Sequence, residues 1–311
     1  MEAIMEPNEL WLSFPKTLEE FDDRFPNEAA CRAYLIELRW GGSVRCARCE
    51  CDETWELQNG RFECKRCGHQ TSVTAGTLLH RTRKPLRLWF RAMWEMAVRK
   101  GGINACELQR LMGFGSYGTA WNWLHKLRRA MAERSCHRLD GFVVVDESYL
   151  GGKGEVRGRG TGKALVLVAA EDGGGRIRLE PADDASADSI GSFVGRNIGN
   201  EAHVTTDGWS GYSPGAIGGR QHIAKAKADL TSRDPFHMCH LVAALLKRWW
   251  LGTYHGSMSP KHMRFYFEEF TFRFNRRKTD GIGRITSRLL QMAITSTPIT
   301  EAELLGQPIA A

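Results

Sequence analysis

The 311-residue sequence lacks the features of a membrane or secreted protein. It has no run of eighteen apolar residues, so no membrane-spanning helix is predicted. Its N-terminus carries Glu2, Glu6 and Glu9 and has no basic start followed by an apolar core, so it does not resemble a secretion signal. It also has no internal repeats. These absences predict a cytoplasmic protein without a membrane partner.

Acidic residues are scarce in two parts of the chain. Residues 81–140 contain thirteen Lys and Arg against four acidic residues, and residues 225–290 contain thirteen against five. Residues 1–45 have the opposite balance, with nine acidic residues against five Lys and Arg. The net charge of +7 and the two basic blocks predict a polyanionic partner such as DNA.

The glycine-rich segment 151–163 lacks the spacing of a nucleotide-binding loop. Such a loop needs Gly at the position of Arg157 and Ser or Thr at the position of Ala164. No nucleotide cofactor is therefore expected. We predict instead a basic hairpin between two strands that contacts the DNA backbone through Lys153, Arg157 and Arg159.

The nine cysteines predict thiols or metal ligands rather than disulfides, because no export signal accompanies them. Cys46 and Cys49 form one CxxC pair, and Cys64 and Cys67 form a second. This spacing predicts a zinc ribbon in which four thiolates hold one structural Zn²⁺. An Asn-Gly pair at 59–60 predicts a hairpin turn between the two pairs. The alternatives are a redox pair or buried thiols without a metal.

A helical pattern extends over residues 84–131. Within it we predict a short helix at 104–112, a glycine turn at 113–115, and a second helix that Ser116 caps and that runs to about residue 131. This is the plan of a helix-turn-helix. The alternative is a helical linker. In the helix-turn-helix interpretation, the exposed face would offer DNA the side chains of Tyr117, Asn122, His125, Lys126 and Arg129.

From residue 142 the pattern changes to short strands. The order is three strands, a helix near 187–198, a strand, a helix and another strand, which predicts an RNase-H-like α/β sheet. Further helices are predicted at 236–251, from 259–260 onwards, and at 283–294. The predicted strands are 142–146, 163–170, 176–181, 203–206 and 221–225.

The chain is thus predicted to have an α/β catalytic core of RNase-H-like fold, preceded by a zinc ribbon and a helix-turn-helix. The predicted divisions are a helical lead-in at 1–45, the ribbon at 46–80, the helix-turn-helix region at 81–138, the core with its C-terminal helices at 139–295, and a tail at 296–311.

Two of the predicted strands end in an aspartate. Asp146 ends the run FVVVD, and Asp207 follows the run HVTT. A carboxylate at the end of a strand lies where the edge of a sheet can hold a cation, and two such carboxylates can share Mg²⁺. Either residue alone is more often a turn former. Their occurrence as a pair in one domain favours a metal site.

A helix that follows the last strand is expected to complete this site. His240 and Lys247 are seven residues apart, so both lie on one face of that helix. We predict that His240 binds the metal or orients a water, and that Lys247 and Arg248 bind DNA phosphate. The alternative is a packed or solvated His240, because Mg²⁺ prefers oxygen ligands. The fallback carboxylates are then Asp234, Glu268 and Glu269.

Several blocks of the sequence resemble bacterial insertion-sequence transposases of the IS-fifteen-ninety-five group, also called ISXO-two-like. The resemblance covers about residues 20–290 and is specific because many separate blocks contribute to it. Besides the two CxxC pairs, the blocks are FPNEAAC at 25–31, DESYLGGK at 146–153, TDGWSGY at 206–212, KRW at 247–249, LGTYHG at 251–256, SPKH at 259–262 and EFTFRFNRR at 269–277.

The resemblance implies a DDE-type transposase in which Asp146 and Asp207 bind metal and Lys247 holds DNA. The third acidic position of the family falls on His240, where glutamate is usual. Two Mg²⁺ or Mn²⁺ ions would assist cleavage at the 3′ ends of the element, and the freed hydroxyl would attack target DNA. The implied partners are terminal inverted repeats and target DNA. A homodimer or larger oligomer is implied because two ends must be joined.

Two other functions are compatible with the sequence. One is an RNase-H-like nuclease that cuts without strand transfer, and the other is a DNA-binding regulator with an inactive core. The intact pair Asp146 and Asp207 argues against the regulator, whereas His240 in the third position keeps it open.

Overall fold

The computed structural model describes residues 9–132, 138–151, 163–225 and 234–306. The chain forms two compact units, one made of residues 1–131 and 279–311 and the other of residues 132–278. Within the described ranges, no helix is long and apolar enough to cross a membrane. Lys153, Arg157 and Arg159, which were predicted to contact DNA, lie outside the described residues.

The first unit begins with three helices, α1 (Glu9–Leu12), α2 (Leu18–Arg24) and α3 (Glu28–Trp40). Local signals fix the ends of the longer two. Thr17 and Glu20 form a capping box at the start of α2, and Asn27 accepts a hydrogen bond at the start of α3. The predicted lead-in is therefore helical, and it buries aromatic side chains such as Phe21 and Tyr34.

The ribbon that follows contains three short antiparallel strands in the order β1 (Thr54–Glu56), β2 (Phe62–Cys64) and β3 (Gln70–Thr71). The predicted Asn-Gly turn joins β1 to β2. Gly60 adopts a φ of +74°, which a side chain would disfavour, and its amide donates to the carbonyl of Leu57.

The remaining helices of the first unit are α4 (Leu86–Val98), α5 (Ala105–Met112), α6 (Tyr117–Met131), α11 (Gly283–Thr295) and α12 (Glu301–Leu305). Helices α5 and α6 form the predicted helix-turn-helix, with Gly113 in the left-handed region between them. Trp89 of α4 stacks on Trp123 of α6, with ring centroids 3.5 Å apart.

The C-terminal helices lie elsewhere than predicted. Helix α11 was assigned to the core at 139–295, but it packs on α4 and α6 of the first unit. Helix α12 falls in the predicted tail, and it packs on α6. The physical reason is the apolar face of α11, whose buried Leu289 and Leu290 need a partner surface.

The second unit is built on a five-stranded sheet with the order β6-β5-β4-β7-β8. Strand β4 is antiparallel to β5 and parallel to β7, and β7 is parallel to β8. All five predicted strands are confirmed, and the fold is the RNase-H-like α/β fold. The strands are β4 (Phe142–Leu150), β5 (Ala164–Glu171), β6 (Ile177–Ala182), β7 (His203–Thr206) and β8 (Gln221–Ala224).

Both faces of this sheet are covered. Alternate residues of β4 point to opposite sides, so Val143 and Val145 join the cluster around α7 (Ala187–Asn197), whereas Val144 joins the cluster around α9 (His237–Tyr254) and α10 (Met263–Asn275). A short helix α8 (Pro214–Ile217) lies between β7 and β8, and a 3-10 turn (Pro260–His262) precedes α10. Near its start, α9 contacts the middle of β4, where the thiol of Cys239 donates to the carbonyl of Val144.

Candidate active site

The sheet has a notch at the end of β7. Parallel pairing between β4 and β7 stops at Val144 and Thr205, whereas β4 continues to Leu150 because β5 pairs with it throughout. Asp146 lies in the part of β4 beyond this pairing. Asp207 follows the last residue of β7, and Gly208 turns the chain away with a φ of +79°. The notch brings the two predicted aspartates together.

A third carboxylate, which the sequence analysis did not identify, joins them. Asp146, Glu147 and Asp207 each have an oxygen that lies within 4.8 Å of the others. Successive side chains of a strand normally point to opposite faces, so the alternation rule gives no reason to place Glu147 beside Asp146. Both residues lie in the stretch of β4 beyond its pairing with β7, and one oxygen of each comes within 4.8 Å of the other there.

The carboxylates at the notch are close enough to influence each other. Burial, together with the charge of Glu147, raises the pKa of Asp146 to about 6. The backbone amide of Glu147 donates to Asp146 Oδ1 at 2.9 Å and acts in the opposite direction. A site that crowds negative charge in this way favours binding of a cation.

Helix α9 brings His240 close to Asp146. Its Nε2 lies 3.5 Å from Asp146 Oδ2, and its Nδ1 lies 3.1 Å from Asp234 Oδ2. The helix is held against β4 by the buried Cys239, whose thiol donates to the carbonyl of Val144. Both ring nitrogens of His240 therefore face carboxylates, and the imidazole remains partly open to solvent.

The other predicted residues on α9 and α10 have different environments from that of His240. Lys247 and Arg248 are exposed on α9, with Lys247 two turns, or about 10 Å, beyond His240. Glu269, one of the fallback carboxylates, is fully buried, where it accepts from the Tyr254 hydroxyl and pairs with Arg273. Glu269 therefore serves the packing of α9 against α10, and Glu147 is the extra carboxylate at the notch.

The predicted metal centre of the ribbon has the expected geometry. Sulfur atoms of Cys46 and Cys67 lie 3.6 Å apart, and those of Cys49 and Cys64 lie 3.5 Å apart. Four thiolates around a tetrahedral Zn²⁺ at about 2.3 Å would lie about 3.8 Å from one another. The donor set and its spacing thus fit a structural Zn²⁺.

Backbone geometry supports the same cluster of sulfurs. In each CxxC turn the residue after the second cysteine has a positive φ, +57° at Glu50 and +68° at Gly68, and donates its amide to the carbonyl of the first cysteine. Burial acts to raise the pKa of Cys64, but backbone amides of Cys67 and Arg66 lower it to about 6. The thiolate form that zinc requires is therefore favoured at Cys64, whereas burial and the neighbouring thiols raise the pKa of Cys49 to about 12.

The predicted DNA-reading face of α6 needs a correction. Tyr117 is exposed and Asn122 is half-buried, but His125 is only 1% exposed, so the expectation that it faces DNA is wrong. Lys126 and Arg129 are half-buried beside α12, where Arg129 donates to the carbonyl of Glu303. The reason is that α12, in a segment predicted to be an uninformative tail, covers part of this face.

An RNase-H-like sheet that gathers carboxylates within its first strand and after its fourth is typical of metal-dependent nucleases and transposases. Comparison with protein families narrows the class. Residues 138–275 match the ISXO2-like transposase domain, and residues 26–70 match the transposase zinc-ribbon domain. The chain therefore carries the two domains of an ISXO2-like transposase, and the resemblance seen in the sequence motifs is confirmed.

Among solved structures, the chain is similar to one in the cryoEM structure of the simian T-cell lymphotropic virus intasome in complex with PP2A regulatory subunit B56 gamma. The match covers 67% of this chain and 74% of that chain, with 15% identity and a TM-score of 0.31. A likeness of this size supports no conclusion about the present chain. No functionally curated protein matches the sequence.

Proposed function

We propose that this protein is a DDE-type DNA transposase that binds the inverted-repeat ends of an insertion sequence, cuts their 3′ ends with divalent metal, and joins them to target DNA. The observation that carries the proposal is the convergence of Asp146 and Asp207 at the notch of an RNase-H-like sheet. The match of residues 138–275 to the transposase domain supports it.

The donor set at the notch fits a hard divalent cation. Carboxylate oxygens are the ligands that Mg²⁺ and Mn²⁺ prefer. Asp146 and Asp207 are the ligands in this proposal, and His240 lies in contact with the first of them. When bound, two such ions would polarise the scissile phosphate and the attacking oxygen.

The side chains around the notch have supporting roles in this proposal. Asp234 accepts from His240 Nδ1, which leaves Nε2 directed towards Asp146 and the cation site. Lys247 and Arg248, exposed further along α9, would bind DNA phosphate. Lys247 lies about 10 Å along the helix from His240, so in this proposal it binds a phosphate near the cut and not the scissile phosphate itself.

The remaining partners follow from the domain composition. The zinc ribbon and the helix-turn-helix would recognise the terminal repeats, with Tyr117 and Asn122 as the accessible part of the predicted face. Because two ends are joined to one target, we expect a homodimer or larger assembly on DNA. The protein would act on DNA in the cytoplasm.

Cleavage and joining of DNA that carries the terminal repeats test the proposal. Wild-type protein with Mg²⁺ or Mn²⁺ is expected to nick the 3′ ends and to join them to a target plasmid. Asp146→Asn is expected to lose both activities, whereas Asp183→Asn, at an exposed aspartate of the same unit, retains them. Full activity in Asp146→Asn would refute the proposal, and nicking without joining in the wild type would identify a nuclease instead.

A further inference from the structure

The candidate site has a histidine where the resemblance leads one to expect an acidic residue, and the structure supplies a carboxylate from another position. We infer that Glu147 is the third carboxylate ligand of the divalent-metal site and that Tyr212 holds it in place. This inference rests on the proposed function, because it concerns the same metal site.

The position of Glu147 follows from the notch. The parallel pairing of β4 with β7 ends at Val144, and the amide of Glu147, three residues further along β4, donates to Asp146 Oδ1. The carboxylate of Glu147 reaches the other two within 4.8 Å. Three carboxylates at this spacing offer oxygen ligands from separate directions, which is the donor set of a hard cation.

Tyr212 fixes the carboxylate of Glu147. The tyrosine is 4% exposed, and its hydroxyl donates to Glu147 Oε2 at 2.9 Å. Its ring packs in the buried cluster beneath α7 and α8, so the hydroxyl cannot follow Glu147 if that side chain moves. A buried donor on a rigid ring is the usual way in which a protein orients a metal-binding carboxylate.

The same short loop carries Asp207 and Tyr212. It therefore connects one proposed ligand, Asp207, with the residue that holds another, Glu147. Asp207 Oδ1 accepts from the amide of Trp209 at 3.0 Å, and the carbonyl of Trp209 accepts from the amide of Tyr212 at 2.9 Å. The loop therefore places its own carboxylate and the positioning hydroxyl for Glu147 in one arrangement.

In this proposal, His240 does not replace the acidic ligand that is usual at its position in the family. Its two nitrogens lie beside the carboxylates of Asp146 and Asp234, so it braces Asp146 from the α9 side. The negative charge that the cations require comes from Asp146, Glu147 and Asp207.

Mn²⁺ binding to the zinc-loaded full chain tests the inference without relying on catalysis. Free Mn²⁺ is measured by electron paramagnetic resonance for the wild type, Glu147→Gln, Tyr212→Phe, the double variant and Asp146→Asn. Gln keeps the shape of Glu147 and still accepts from Tyr212. Glu201→Gln, at an exposed glutamate of the same unit, is the matched control.

Glu147→Gln is expected to weaken Mn²⁺ binding by at least about tenfold, and Tyr212→Phe by about tenfold, as for residues that orient ligands. In the double variant, Tyr212→Phe should add little to the loss in Glu147→Gln, because it acts through that carboxylate. Glu201→Gln should bind as the wild type does.

The outcomes separate the two proposals. Wild-type affinity in Glu147→Gln together with loss in Asp146→Asn would overturn the role of Glu147 and leave the metal site of the proposed function intact. Unchanged binding in Asp146→Asn would overturn both. Fully additive losses in the double variant would refute the positioning role of Tyr212.

Discussion

At the scale of single residues, the site depends on contacts that fix the direction of a few polar groups. Asp234 is an example, because its two oxygens have separate partners. One accepts from the amide of Phe236 at the start of α9, and the other lies 3.1 Å from His240 Nδ1. Asp234, which fixes the turn before α9, thereby also sets the orientation of the imidazole.

Asp234→Asn separates these two roles. The side-chain oxygen of Asn can accept the same hydrogen bond from the amide of Phe236, so we expect an unchanged melting temperature. Loss of the negative charge beside His240 should reduce the cleavage rate by about tenfold to a hundredfold, as for other groups that orient metal-site histidines. The measurement is the rate of end cleavage beside a thermal melt. An unchanged rate would mean that the contact has no part in the activity.

The residue scale also shows where prediction from sequence ends. Asp146 and Asp207 are predictable because each follows a β-branched run. Glu147 is not, since its place at the site depends on where β7 stops pairing. His125 was predicted to face DNA because it is polar, but its burial depends on neighbouring helices that the periodicity of α6 does not reveal.

At the scale of elements, the ribbon depends on its metal. Its three strands have two or three residues each, too few to bury a core of their own. Removing zinc with a chelator, or substituting Cys64→Ser, is expected to unfold the ribbon and leave the sheet of the second unit folded. Hydrogen exchange should show loss of amide protection over 46–71 only. Protection that survives complete zinc removal would contradict this expectation.

The two CxxC turns of the ribbon provide a finer prediction. Glu50 adopts a φ of +57° that costs an L residue about 1–2 kcal/mol, whereas Gly68 occupies the equivalent place without that cost. Glu50→Gly is expected to tighten zinc binding by roughly fivefold, which corresponds to about 1 kcal/mol. Gly68→Ala is the converse control and should weaken it. Competition with a chelator measures the zinc affinity of both variants. Weaker zinc binding by Glu50→Gly would show that the substitution relieves no backbone strain.

The packing of α11 depends on Gly283. A Cβ at this position would overlap the carbonyl oxygen of Pro15, so the start of the helix must move if alanine is introduced. We expect Gly283→Ala to destabilise the protein by about 1–3 kcal/mol.

Gly195→Ala in α7 is the matched control, because a Cβ there meets nothing within 4 Å and should stabilise by about 0.5–1 kcal/mol. Urea unfolding measures both changes. Equal effects at the two positions would show that α11 does not approach Pro15 closely.

Helix α11 was predictable from its apolar spacing, but the surface on which it packs was not, because spacing does not say which unit receives an apolar face.

At the scale of the whole molecule, charge separates parts of the chain. The acidic balance of residues 1–45 contrasts with the basic blocks at 81–140 and 225–290. Binding to DNA phosphate through the basic blocks releases counterions, so affinity should fall as salt rises. The succession of strands and helices along the core was predictable from the sequence, whereas the return of residues 279–311 to the first unit was not.

Lys247→Ala is expected to reduce the slope of log affinity against log salt by about one and to weaken binding to all DNA sequences similarly. Lys16→Ala, in the acidic N-terminal stretch, is the control and should leave the slope unchanged. Fluorescence anisotropy with labelled duplex DNA at several salt concentrations measures this slope. An unaltered slope in Lys247→Ala would remove this lysine from the DNA-binding surface.

The proposed function depends on a divalent cation between Asp146 and Asp207. Anomalous diffraction from crystals soaked in Mn²⁺ tests this most directly. We expect a manganese peak at coordination distance from oxygens of both aspartates. A peak absent from the notch at saturating Mn²⁺, or confined to the four cysteines of the ribbon, would contradict it.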